Sequence, residues 1–260
     1  MCFKFLAVPA VMLAALSCSI KEDRSKCPCI LIMDLEEVPW NTPEEGFPLS
    51  LQVSGPGGFS LENPVSVEEC STSYTVEVPR QGVYSSLLTS PAGDFFVGGR
   101  GIVIPEGKDC PLLWMYSRFL DTSVEDIREK VVLRKSFCTM SVTFKGVPPG
   151  TYSLRFLGTV CGYDLSARPV PGEFSYLSVP DGGGTCSARI PRQTDSSLIA
   201  AVESGDKVLR YFAIGEILAK NGYDWTSPDL ADASLTIDYA STAITLTIGG
   251  ATPVQVEVLI

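Results

Sequence analysis

Leu235-Thr236-Ile237-Asp238-Tyr239, Ile244-Thr245-Leu246-Thr247-Ile248 and Val254-Gln255-Val256-Glu257-Val258-Leu259-Ile260 place apolar residues at every second position. A two-residue period sends alternate side chains to opposite faces of an extended chain, so each run reads as a half-buried antiparallel strand. The pattern extends upstream. Tyr152, Leu154 and Phe156 alternate with polar neighbours, as do Met140, Val142 and Phe144, then Tyr74, Val76 and Val78, then Phe47, Leu49, Leu51 and Val53. Between the runs stand turn signals: Ser54-Gly55-Pro56-Gly57-Gly58, Pro148-Pro149-Gly150 and Asp181-Gly182-Gly183-Gly184. Many short strands separated by such turns indicate an all-β chain of antiparallel sandwiches and exclude βαβ units.

Helix is scarce. Ile214 to Asn221 carries apolar residues at helical spacing and meets Gly222, a C-terminal stop. Ser123 to Lys130 reads as a second short helix, because Thr122-x-x-Glu125 has capping-box form, or equally as a connector into the next strand. The chain has 260 residues, enough for two domains that each bury a core. A boundary near residue 128 gives an N-terminal sandwich over 27–128 and a C-terminal sandwich over 129–260. No internal repeat stands out in the sequence.

The first residues read as a targeting segment, with residues 1–17 a lipoprotein signal peptide. Lys4 is the positive start, Phe5 to Leu16 the apolar run, and Ala15-Leu16-Ser17-Cys18 has the form of a bacterial lipobox, with the leucine one place closer to the cysteine than usual. Cys18 is then the lipidation residue. Acylation holds because each buried methylene contributes about 0.8 kcal/mol. Residues 18–26 form a charged tether. Seven cysteines follow Cys18, an odd number that matches no familiar disulfide framework. Buried thiols or one or two bridges both remain open. Cys27-Pro28-Cys29 would point both thiols to one face of a strand, and neither a histidine nor a second close pair completes a zinc site.

Charge and composition narrow the chemistry. Twenty basic against thirty acidic residues give a net charge of −10, which repels phosphate backbones and argues against nucleic acid. The chain has no histidine, and so lacks the usual base near neutral pH and the usual partner of a serine or cysteine nucleophile. No G-x-S-x-G elbow is present. Gly101 to Asp109 resembles a phosphate loop, but has five residues between its glycines and an aspartate where magnesium needs a hydroxyl; it reads as a hairpin turn. Asp224, Asp229, Asp232 and Asp238 do not follow a calcium-loop spacing and read as turn residues and caps. No catalytic residue, metal or cofactor is expected. Trp225 reads as core cover, whereas Trp40, before a Pro/Glu loop, is the candidate for glycan contact.

Two stretches resemble the FimB-type fimbrial anchor subunits of Bacteroides-type bacteria. One is Cys18-Ser-Ile-Lys-Glu-Asp-Arg-Ser-Lys-Cys-Pro-Cys29 running into the strand Ile30 to Leu35. The other is Phe212-Ala-Ile-Gly-Glu-Ile-Leu218 with Gly222-Tyr-Asp-Trp225, Pro228-Asp-Leu230 and Thr236-Ile-Asp-Tyr-Ala240. The resemblance implies two tandem transthyretin-like sandwiches, an outer-membrane lipid anchor exposed at the cell surface, and attachment of a fimbrial shaft or accessory subunit by β-strand exchange. Acidic residues after Cys18 are similar to the surface-export signal of such lipoproteins. Val254, Val256, Val258 and Ile260 are the strand-exchange candidates, since their apolar face would satisfy an open sheet edge; the same strand could instead complete its own domain. The family is structural and transfers no catalytic residues. The competing reading is a surface adhesin or glycan-binding lipoprotein that polymerises with nothing.

Overall fold

The structure, a computed structural model, describes residues 27–38, 49–65, 72–90, 95–97, 101–148, 150–238 and 243–256. It is all-β, with one α-helix among the described residues. The first sandwich sets a sheet of β1 (Cys29–Asp34), β4 (Ser73–Val78) and β9 (Asp126–Lys130) beside a sheet of β2 (Leu49–Ser54), β3 (Ser60–Val65), β5 (Val83–Ser90), β8 (Trp114–Asp121) and β10 (Arg134–Lys135), in the orders β4-β1-β9 and β10-β8-β5-β2-β3. Leu31, Met33, Leu49, Leu51 and Val53 face one another across the gap, fully buried, and Val78, Leu120, Val131 and Leu133 close that core.

In the second sandwich, one sheet runs β14 (Thr185–Pro191), β11 (Phe137–Lys145), β17 (Ala233–Asp238), β18 (Ile244–Ile248), β19 (Val254–Val256). The other holds β12 (Ser153–Tyr163), β13 (Pro169–Ser178), β15 (Ile199–Ser204) and β16 (Lys207–Phe212). Alternation delivers Met140, Val142, Leu154, Phe156, Leu235 and Ile237 inward from β11, β12 and β17, as the period predicts.

The two sandwiches repeat one wiring. β1 pairs antiparallel with β4 and parallel with β9; β11 pairs antiparallel with β14 and parallel with β17. In the facing sheets, β3-β2-β5-β8 matches β13-β12-β15-β16. The chain is therefore a structural duplication without a legible sequence repeat. Two parallel pairings depart from the purely antiparallel expectation, and alternation could not foretell them because it specifies faces and not neighbours.

Residues 122–125 occupy the place in the first sandwich that α1 (Ile214–Lys220) takes in the second. The helix expected over Ser123 to Lys130 is not formed: Asp126–Lys130 is a strand in parallel register with β1. Its capping residue is used elsewhere, since the buried Thr122 hydroxyl bonds the Pro79 carbonyl at 2.8 Å and lies 3.0 Å from that of Gly82. The predicted helix at Ile214 does form. It ends in a Schellman motif, with Tyr223 N–H on the Leu218 carbonyl at 3.0 Å and Gly222 N–H on that of Ala219 at 3.2 Å, while Gly222 takes a φ of +79°.

The junction is stitched. Between β5 and β8, strands β6 (Phe96–Val97) and β7 (Gly101–Val103) extend the second sandwich through β7–β12 pairing, Gly162 opposite Val103 and Tyr163 opposite Ile102. Ile102, Ile104, Cys110, Leu113 and Met115 are buried in the second core, and Trp114 packs against both. Residue 128 lies inside β9, in the first sandwich.

Candidate functional site

Assembly by strand pairing needs a sheet edge whose N–H and C=O groups are free and whose side chains do not repel a partner. The edges differ in this respect. β9 reads Asp126-Ile127-Arg128-Glu129-Lys130, charged at four of five positions. β3 carries Pro64, which cannot donate, and β14 ends on Pro191. β16 is otherwise: Val208, Leu209 and Tyr211 are 44%, 53% and 62% exposed on the outermost strand of their sheet. A register shift between Val202 and Glu203 bulges this strand at Leu209, and Lys207 and Arg210 flank the apolar positions. The bulge and cations moderate the edge without hiding it.

β19 is a second edge with an exposed apolar residue among the described residues. Of the expected strand, Val254 is half exposed and Val256 packs against the second core, while β19 pairs with β18 from Leu246 opposite Val254 to Ile244 opposite Val256. The described part thus completes its own sheet; Val258 and Ile260 lie outside the described residues. β16 was not singled out by sequence. Its Val208-Leu209 doublet breaks the alternation, and that break was its only signal.

At the other end, Cys18 and Trp40 lie outside the described residues. The strand expected over Ile30 to Leu35 starts at Cys29 and is central, with β4 on one side and β9 on the other. Cys27 and Cys29 do not share a face as expected: Cys27 precedes the strand and is exposed, whereas Cys29 is buried. Burial raises the Cys29 thiol against the opposing pull of Arg80. All six described cysteines are free. Burial pushes Cys186 up to about 11 and Cys138 up to about 12, so both are inert packing groups at neutral pH.

The acidic stretch is structural. Asp224 accepts from the Thr226 N–H and hydroxyl, Asp229 pairs with Arg134 at 2.9 Å, and Asp232 pairs with Lys135 while accepting the Thr139 N–H at 2.7 Å. Trp225 is 9% exposed and stacks edge-on against Tyr223 at 4.7 Å, covering the core. Pro105 to Lys108 forms a turn, closed by Lys108 N–H on Pro105 carbonyl, but Gly101–Val103 before it is strand β7.

Tandem sandwiches with a duplicated wiring, a central first strand and apolar edges in the second half define a two-sandwich all-β class of fold. Solved structures share this fold. The chain is similar to the fimbrial anchor protein Mfa2 from Porphyromonas gingivalis, with a TM-score of 0.57 and 12% identity over 86% of this chain and 98% of that one. It is similar to a candidate adhesin from Bacteroides ovatus, with a TM-score of 0.56 and 11% identity over 92% and 98%. A second candidate adhesin, from Bacteroides thetaiotaomicron, aligns with a TM-score of 0.51 and 10% identity over 86% and 97%. No family model and no curated protein matches the sequence.

Proposed function

We propose that this chain is a fimbrial subunit of the cell surface, held at the outer membrane by a lipid on Cys18 and joined to its neighbours by pairing at sheet edges. It works by assembly and not by catalysis. The observation that carries this reading is the two-sandwich fold, which is like that of a fimbrial anchor over nearly the whole of both chains. The position of β1 supports the anchoring role. A short tether links Cys18 to a strand that already fills the middle of its own sheet, so the first sandwich needs no donated strand there. Joining therefore falls to the second half, where β16 and β19 offer apolar edges.

The test is a Cys18→Ala strain. Loss of the protein from the membrane fraction and shedding of fimbriae into the medium are expected, together with co-purification of the native lipoprotein with a shaft subunit. Intact, cell-attached fimbriae in that strain would refute anchoring, and a solitary lipoprotein in crosslinked membranes would refute the joining role.

A further inference from the structure

The junction between the sandwiches forms an open cleft of about 720 Å³, lined from both halves of the chain. Met115, Tyr116 and Ser117 of β8 form one wall, the β12–β13 turn at Ser166 and Ala167 another, and the segments at Arg192 and Trp225 the rest. Such a volume is that of a small-molecule site, and domain junctions are where such sites concentrate.

Its chemistry is distinctive. The chain carries a net charge of −10, yet no carboxylate lines this cleft and two arginines do. Arg134 is neutralised by Asp229. Arg192 is not: its guanidinium donates to the carbonyls of Trp225, Ser227 and Pro228, and no carboxylate pairs with it among the described residues. Asp224 feels its charge but is occupied by Thr226. A half-buried guanidinium fixed by three carbonyl oxygens is oriented and retains its charge, a geometry suited to an incoming carboxylate. The hydroxyls of Ser166 and Thr194 have no partner among the described residues, and Tyr116, Met115 and Trp225 supply apolar wall.

One wall is also strained. Ala167 takes a φ of 58°, the only non-glycine in the left-handed region among the described residues. The Asp164 carboxylate holds it there by accepting the N–H groups of Ser166 and Arg168 at 2.8 and 3.0 Å. Strain of this kind persists where surrounding structure enforces it, and it concentrates at ligand sites.

We propose that this cleft binds a carboxylated sugar unit, its carboxylate on Arg192 and its ring hydroxyls on Ser166 and Thr194. The proposal does not depend on the anchoring role, since neither the lipid nor a sheet edge takes part. Calorimetric titration of the detergent-solubilised full chain tests it, with sodium glucuronate and N-acetylneuraminate as acidic sugars and glucose and acetate as the neutral and ring-free controls. Saturable binding of either acidic sugar, at least tenfold tighter than both controls, is expected. Thr194→Trp, which fills the exposed rim, should weaken it at least tenfold, as should Arg192→Gln. Because Arg192 also braces the Trp225 segment, the rim variant decides if Arg192→Gln unfolds. Acetate binding as tightly as the acidic sugars, glucose matching them, or undiminished affinity in Thr194→Trp would each overturn the proposal.

Discussion

Gly162→Ala tests whether the two sandwiches are locked or merely adjacent. Gly162 on β12 faces β7 so closely that a β-carbon there would lie 2.0 Å from the Ile102 carbonyl oxygen and 3.0 Å from its carbon. The backbone of Gly162 is otherwise ordinary, so the cost of alanine is steric. An unstrained contact needs more than 3 Å, and β7 must therefore retreat by about 1 Å or undock. Undocking exposes Ile102 and Ile104, now 1% and 3% accessible, and breaks the Ile104 N–H bond to the Cys161 carbonyl at 2.8 Å. At roughly 1.5–3 kcal/mol per buried isoleucine, the loss is about 3–6 kcal/mol, a large share of the roughly 5–15 kcal/mol that holds a domain. Urea unfolding followed by tryptophan emission reads this directly, since Trp114 packs on both cores. Ile102→Ala, expected to cost about 2–5 kcal/mol, is the reference. The double variant should fall short of the sum, because both changes undo one docking event. A Gly162→Ala protein within about 1 kcal/mol of the parent, or strict additivity with Ile102→Ala, would refute the lock.

Four further outcomes are expected. Iodoacetamide at pH 8 should label Cys27 in the native protein and reach Cys110, Cys138 and Cys186 only in denaturant, because the last three are buried. Since an unfolded thiol titrates at about 8.5 and burial holds Cys186 up to about 11 and Cys138 up to about 12, the fold binds protons that the unfolded chain releases. That stability is complete below the unfolded value and drains away as pH rises through 11 to 12; a urea midpoint unchanged between neutral and strongly alkaline buffer would contradict it. Thr122→Val should cost about 1–2 kcal/mol in thermal unfolding, because it removes the buried hydroxyl that bonds the Pro79 carbonyl. Val208→Lys with Tyr211→Lys should leave stability within about 0.5 kcal/mol yet weaken capture of a partner strand in pull-down, and unaltered capture would acquit the β16 edge.

Strand faces were legible in the sequence because burial on one side of a sheet writes a two-residue period, which β17, β11 from Cys138 onward and β12 as far as Phe156 follow. The α1 stop was legible at Gly222 because the left-handed turn that ends the helix favours glycine. Asp126–Lys130 was misread in part because its charges mimic a capped helix; what makes it a strand is the parallel ladder to β1, nearly a hundred residues away. The β6–β7 insertion was illegible for a similar reason. Gly101 and Gly162 mark the crossing, but a glycine says only that something comes close, and not what. Nor could the cleft be foreseen, since Tyr116, Ala167, Arg192 and Trp225 are distant in sequence and share no period.

The placement of β1 between two partners has a mechanical corollary. A pull applied along β1 from its N-terminal end would load the ladders to β4 and β9 together, from Cys29 opposite Val78 to Asp34 opposite Ser73 and from Ile30 opposite Asp126 to Asp34 opposite Lys130. Loaded in shear, these bonds share the tension and fail as a group, whereas an edge strand tugged sideways peels one bond at a time. The first sandwich would thus resist most strongly a pull directed along β1.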